Sequence, residues 1–316
     1  MVRQFTIPKI QRNYLYRPAQ FLMLTLVISL ALSFVGCEDK KKESLKNKVK
    51  NTQVKPLKIC FIPNSPVSKL TRTWEPLVKY LHKETGHPIE LDFAKDYQDV
   101  IDKFIKGKID IAMLGAFVYV QVKEKVNVIP LVQRVKKSPK YFSILAVKKN
   151  SKLKSLKDLK GRKIAFVDRN STSGYLIPRV MLATYGIYKP EKYFGEIKWS
   201  DNHSNAILLV YTKSVDAAFF ASTYWKPYVK DKKLDSLRVL LKSDKVPLGP
   251  FCVKSDMDKT LVNKLKAAFL KISKKNSETK DLAKLIKLDG FIESKDSNFD
   301  PIRAMSIILK KADIRH

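Results

Sequence analysis

The sequence predicts an α/β protein built as two similar lobes. Three observations carry this: short apolar runs alternate with stretches of helical spacing, the alternation restarts after a charged connector, and a late apolar run returns to the first half. Such a double crossing makes a hinge, and a ligand cleft is expected between the lobes.

The run Lys58-Ile59-Cys60-Phe61-Ile62-Pro63 reads as a buried strand stopped by proline, and Leu70, Trp74, Leu77, Val78 and Leu81 follow at helical spacing. Residues 89–93 alternate as a strand, Val100, Ile101, Phe104 and Ile105 mark a helix, and residues 109–114 form a third strand, so a mostly parallel sheet is expected. Residues 143–147 close this first unit. After a lysine- and serine-rich connector, 148–160, a strand at 164–167 leads to a helix over 175–185. A short strand near Ile197, a helix through Ile207, Leu208 and Val210, and a strand at 215–220 complete the second unit. An internal echo, Gly107-Lys108-Ile109-Asp110-Ile111-Ala112 against Lys213-Ser214-Val215-Asp216-Ala217-Ala218, joins helix to strand in each half. Pro250-Phe251-Cys252-Val253 then returns to the first lobe, where Leu261, Leu265, Phe269 and Ile272 add a helix. The expected segments are thus 56–147 and 247–316 for lobe 1 and 148–246 for lobe 2.

Residues 1–36 stand apart from this pattern. Arg3, Lys9, Arg12 and Arg17 form an acid-free basic stretch before an apolar run, 21–35, that is shorter than the ~20 residues a membrane span needs. They read as a signal peptide. Its end, Phe34-Val35-Gly36-Cys37, resembles the lipobox of bacterial lipoproteins, with phenylalanine where leucine is usual, so lipidation of Cys37 is expected. Residues 37–55 are polar enough to serve as a tether. The protein is therefore expected in the cell envelope, exported and lipid-anchored. Cys60 and Cys252 lie in apolar runs; both a pair of core thiols and a disulfide are open.

The net charge of +32 admits nucleic acid, anionic membrane or small anions as partners. The lysines are spread along the whole chain, not clustered with aromatics, and an exported chain meets little nucleic acid, so that partner is excluded.

Chemistry concentrates at Asp168-Arg169-Asn170-Ser171-Thr172-Ser173-Gly174-Tyr175, where a strand runs into three hydroxyl residues and a glycine before a helix. A helix start leaves N–H groups over and carries partial positive charge; Ser171, Thr172 and Ser173 add hydroxyls, and Gly174 would let a ligand approach the backbone. The same residues also suit an ordinary cap. Pro178 cannot donate to the Gly174 carbonyl and should loosen the first turn. No P-loop is present.

From about Lys58 onward the chain resembles the phosphate, phosphite and phosphonate-binding proteins of ABC transporters, the PhnD-like family. The matching pieces are Phe61-Ile62-Pro63 with Trp74-Glu75-Pro76-Leu77, Leu114-Gly115-Ala116-Phe117-Val118-Tyr119, residues 168–178, His203-Ser204-Asn205-Ala206 and Val215-Asp216-Ala217-Ala218. The resemblance implies a two-lobed type II periplasmic-binding-protein fold, with Ser171, Thr172 and Ser173 taking the phosphoryl oxygens. Tyr119 and His203 would complete the shell, the histidine as a protonated donor. It implies a small phosphorus oxyanion as ligand, an ABC permease and ATPase as partners, and a monomer. Where relatives that hold an aminoalkyl group supply an acid, this chain reads Ala221-Ser222-Thr223-Tyr224, so phosphite, phosphate or a small alkylphosphonate is expected in place of an aminoalkylphosphonate.

No catalytic, metal or cofactor assembly is expected: His82, His87, His203 and His316 are scattered, and the three hydroxyls have no base partner other than His203. Sensing for a signalling partner, or reception of a different oxyanion, are the alternatives to delivery into a permease.

Overall fold

The computed structural model describes residues 54–315 apart from 64, 226 and 228–235. The expected signal peptide, Cys37 and the expected tether up to residue 53 lie outside the described residues. The first half runs β1 (Leu57–Phe61), α1 (Val67–Thr85), β2 (Ile89–Phe93), α2 (Tyr97–Ile105), β3 (Ile111–Met113), α3 (Ala116–Lys123) and β4 (Val128–Val135). Next come β5 (Lys140–Tyr141), β6 (Ser143–Lys148), β7 (Lys163–Phe166), a wide turn (Thr172–Leu176) continuing as α4 (Ile177–Thr184), α5 (Pro190–Tyr193), β8 (Glu196–Trp199), α6 (His203–Tyr211), β9 (Ala217–Ala221) and β10 (Leu237–Lys242). The chain ends through β11 (Val246–Pro247), β12 (Pro250–Lys254), α7 (Lys259–Lys271), α8 (Lys280–Leu285), β13 (Gly290–Glu293) and α9 (Asp300–Arg315).

Two large sheets result, ordered β13-β4-β12-β3-β1-β2 and β10-β6-β9-β7-β8. Each has the same parallel heart: β1 lies between β2 and β3, and β7 between β8 and β9. The expectation of mostly parallel sheets gives way to mixed ones, because the strands at the crossings run antiparallel: β12 against β3 and β4, β6 against β9 and β10. The strand at 143–147, assigned by its position in the sequence to the first lobe, pairs entirely within the second sheet. Position along the chain does not reveal which sheet an antiparallel strand joins, since such a partner can arrive from either side.

The internal echo has a structural cause. Asp110 Oδ2 accepts from the Lys58 amide at the start of β1, and Asp216 Oδ2 accepts from the Lys163 amide at the start of β7, both at 2.9 Å. Each aspartate also donates its own amide to the carbonyl of that same lysine. Just upstream, Gly107 and Lys213 both take left-handed φ values, 64° and 62°, to end the preceding helix.

The first sheet's core forms where α1 lays Leu70, Trp74, Leu77 and Leu81 inward, with Trp74 stacked on Phe61 at 4.8 Å and Phe251 edge-on to both rings. In the second, Ile144, Leu145, Ala146 and Val147 are all buried, as expected for a strand covered on both faces. Cys60 and Cys252 are free and buried. Both pair with Ala112, from opposite sides of β3. Two strand spacings, ~9.6 Å, separate them, beyond the ~7 Å a disulfide tolerates. They are core thiols.

Candidate functional site

The carboxyl ends of β2, β3, β7 and β9 point to one place, and the helices α2, α3, α4 and α6 start around it. Converging helix starts concentrate partial positive charge there.

At the end of β7, Asp168 turns the chain by accepting from the Asn170 amide at 2.7 Å. Ser171 caps the next turn, its Oγ accepting from the Gly174 amide at 3.0 Å. That turn is not α-helical: the Leu176 amide donates to the Ser171 carbonyl and the Ile177 amide to the Thr172 carbonyl, five residues back in each case. Pro178 explains this widening. The Gly174 carbonyl, which no amide of residue 178 can reach, accepts instead from Val167 at 3.1 Å, tying the turn to β7. Ser171, Thr172 and Ser173 are all buried.

Gly174 has a different role from the one expected. A Cβ built on it would stand 2.4 Å from Val167 Cβ, so the glycine admits the strand, not a ligand. Thr172 reaches across to the first sheet: its Oγ1 accepts from the Phe117 amide, at the start of α3, at 2.9 Å. The Ser173 carbonyl accepts from the Ser143 hydroxyl at 2.6 Å.

His203 opens α6, capped by Asn202, and is buried. Its Nδ1 accepts from the Ala221 amide at 3.2 Å, so that nitrogen carries no proton and Nε2 holds the ring's N–H. Burial pushes the imidazole down to about 3. In the ligand-free protein His203 is thus a neutral donor, because burial without a counter-ion disfavours the charged ring. Its neighbour Ser204 also buries its hydroxyl without a hydrogen-bond partner.

Tyr119 is corrected as well. It sits on α3, but its ring packs on Phe299 at 4.6 Å and its hydroxyl donates to Asp296 at 2.5 Å, on the face that meets the C-terminal segment.

Two tyrosines that the motifs do not mark lie at the turn instead. Tyr97, the first residue of α2, buries its hydroxyl beside Ser171 without a hydrogen bond of full geometry. Burial lifts its phenol well above the ordinary range, Tyr224, Asp168 and Tyr141 add to the rise, and only Ser171 works the other way. Tyr141, on β5, turns to Ser173 and Thr172; burial raises its phenol too, against those two hydroxyls and Arg134. The signal for Tyr97 was the Asp96 cap, whose Oδ1 accepts from the Asp99 amide at 2.8 Å and fixes a helix start at the end of β2. Nothing local marked Tyr141.

These groups make a dry nest of neutral donors: five hydroxyls, one imidazole N–H and the amides that a helix start leaves over. Such a nest suits a small, highly charged oxyanion. Beside it lies an open cavity of about 570 Å³ that shares Tyr141 and His203 with it and is also lined by Gly115. Among the described residues, no group of three or more His, Cys, Asp or Glu side chains is placed to hold a metal, and no helix is long and apolar enough to cross a membrane.

Residues 59–299 match the family model described as ABC transporter, phosphonate, periplasmic substrate-binding protein. The phosphate-import protein PhnD of Mycolicibacterium smegmatis is 30% identical over 225 residues, 67% of this chain and 70% of that protein. The phosphonates-binding periplasmic protein of Escherichia coli is 27% identical over 273 residues, covering 83% of this chain and 79% of that one. Among solved structures, a binding component of a Pseudomonas aeruginosa ABC phosphonate transporter superposes with TM-score 0.75 at 28% identity, over 82% of this chain and 88% of that one. A Prochlorococcus marinus PhnD protein in complex with methylphosphonate gives TM-score 0.74 at 23% identity, over 81% and 98%. The fold is the type II periplasmic binding fold, and the family is one of transport receptors, not of enzymes. With most of its length matched, and with the helix-start nest at the strand ends, the chain belongs to the phosphonate-binding family of exported, periplasmic substrate-binding proteins of ABC importers.

Proposed function

We propose that this protein captures a small phosphorus oxyanion, whether phosphite, phosphate or an alkylphosphonate, and delivers it to an ABC permease without transforming it. One observation carries the reading: the Tyr97 hydroxyl is buried without a partner and faces the capped turn at Ser171. A buried hydroxyl in that state costs about 1–3 kcal/mol, which an oxyanion accepting from it would recover. Ser171, Thr172 and Ser173 would bind through hydroxyls and amides, Tyr97 and Tyr141 through phenols, and His203 through Nε2–H.

The two sheets would act as lobes that close on the ligand. Support comes from contacts across the cleft, such as Phe117 to Thr172 and the Asn170 side chain to Gln98 at 3.4 Å. These contacts describe the closed arrangement, in which Tyr97 of the first sheet already lies beside Ser171; opening would withdraw it, and closure would return it to an anion captured by the second sheet. A monomer suffices for this. Cys37 would carry the lipid, keeping the receptor at the membrane face.

Calorimetric titration with phosphite, phosphate, methylphosphonate, sulfate and acetate tests the proposal. Binding confined to the phosphorus anions is expected; tighter binding of sulfate or acetate than of any phosphorus anion would overturn it. Small-angle scattering should show compaction on saturation with the tightest ligand, and unchanged dimensions would refute closure.

A further inference from the structure

The cavity beside the oxyanion nest is much larger than phosphite or methylphosphonate requires, and its walls differ from the nest in charge. Lys69 and Arg72 of α1, Arg134 at the end of β4, Lys136 just beyond it, and Lys287 after α8 line it. No Asp or Glu is among its described lining residues. Where an ammonium group would need an acid, Thr223 and Tyr224 stand.

Lysines cover this protein, so cationic side chains in a cavity wall would mean little by number alone. Two features set this wall apart. Arg134 buries its Nε without a hydrogen-bond partner. The cations are also close enough to repel one another: Lys136, although exposed at its surface, is pushed below the ordinary lysine range by burial and then by Lys287, Arg134 and Lys69. Among the described residues, the acid that acts on Lys136, Asp289, is committed elsewhere, accepting from Lys274 Nζ and from the Lys137 amide. Like charges gathered around a partly desolvated space lower the stability of the empty protein and favour an anion within it.

We propose that this cavity receives the rest of the ligand and that the rest is itself anionic, so that the preferred ligand is a phosphonate or phosphate compound bearing a second acidic group. This rests on the phosphorus end sitting at the Ser171 turn. The nest would hold the phosphoryl group through neutral donors, while the cationic wall would select what hangs from it.

The test titrates the full-length chain in mild detergent with methylphosphonate, 2-aminoethylphosphonate, phosphonoacetate and pyrophosphate. Phosphonoacetate or pyrophosphate, or both, should bind at least about tenfold tighter than methylphosphonate, with an advantage that shrinks as salt is raised. Which of the two wins separates a carboxylate from a phosphate as the second group. The double variant Lys136→Gln, Lys287→Gln should lose that advantage while keeping methylphosphonate affinity, which also shows that it folds. Equal affinities in the unaltered protein, a preference for 2-aminoethylphosphonate, or equal losses for all ligands in the variant would overturn the proposal. No binding of any of the four would instead overturn the oxyanion reading beneath it.

Discussion

At the scale of single residues, the site depends on polar groups made dry. Tyr97 and Tyr141 are neutral donors whose burial holds their protons in place, suited to hydrogen-bonding an anion without giving it a proton. Replacing either by Phe is expected to weaken oxyanion binding by about 1.5–3 kcal/mol, roughly 10- to 150-fold by calorimetry. Tyr97→Phe should not lower the melting temperature of the ligand-free protein, since the hydroxyl it removes has no partner. His203 sets a pH dependence. Its folded value, about 3, lies below the ordinary ~6.5, so the unfolded chain binds the proton more readily. Its contribution to stability is therefore intact above pH 6.5 and declines as pH falls from there toward 3. Ligand-free His203→Gln should lose less melting temperature between pH 7 and pH 5 than the parent. By NMR, the parent's His203 ring signals should not titrate over that range; a midpoint near 6.5 would refute the dry site.

At the scale of elements, the decisive piece is the turn from β7 into α4. Three residue types cooperate: Ser171 caps, Pro178 frees the Gly174 carbonyl, and Gly174 lets that carbonyl and the backbone press on Val167. The outcome is a widened first turn whose leading amides and hydroxyls face the cleft. Gly174→Ala would force a Cβ into Val167, and we expect a loss of about 1–3 kcal/mol in chemical denaturation together with weaker ligand binding. Full retention of both would mean that the close approach is not what requires glycine here. The cap and the proline effect were legible in the sequence because they act within one turn. The role of the glycine was not, because the strand it admits is a tertiary neighbour.

At the scale of the whole molecule, two copies of one plan face each other across a cleft, each pinned by an aspartate at the start of its third strand. The Cys60 and Cys252 thiols are held two strands apart. Titration of a lipidated preparation should therefore count two thiols after denaturation and neither before, whereas a third would mean unmodified Cys37 and none would mean a disulfide. The sequence alone determined the alternating elements, the paired halves and the capped turn, because periodicity, caps and turn chemistry are short-range properties; the place of His203 near that turn came from the family resemblance. Only the tertiary structure decided which sheet takes residues 143–148 and which tyrosines reach the turn. Tyr97 and Tyr141 come from separate elements, and Tyr119 is taken up by Phe299 and Asp296 of the C-terminal segment. It also made His203 neutral in the ligand-free protein, for burial belongs to no residue by itself. The three hydroxyl residues that mark the anion turn in the sequence are thus completed by groups distant along the chain, since only folding brings them together and excludes the water that would compete with them.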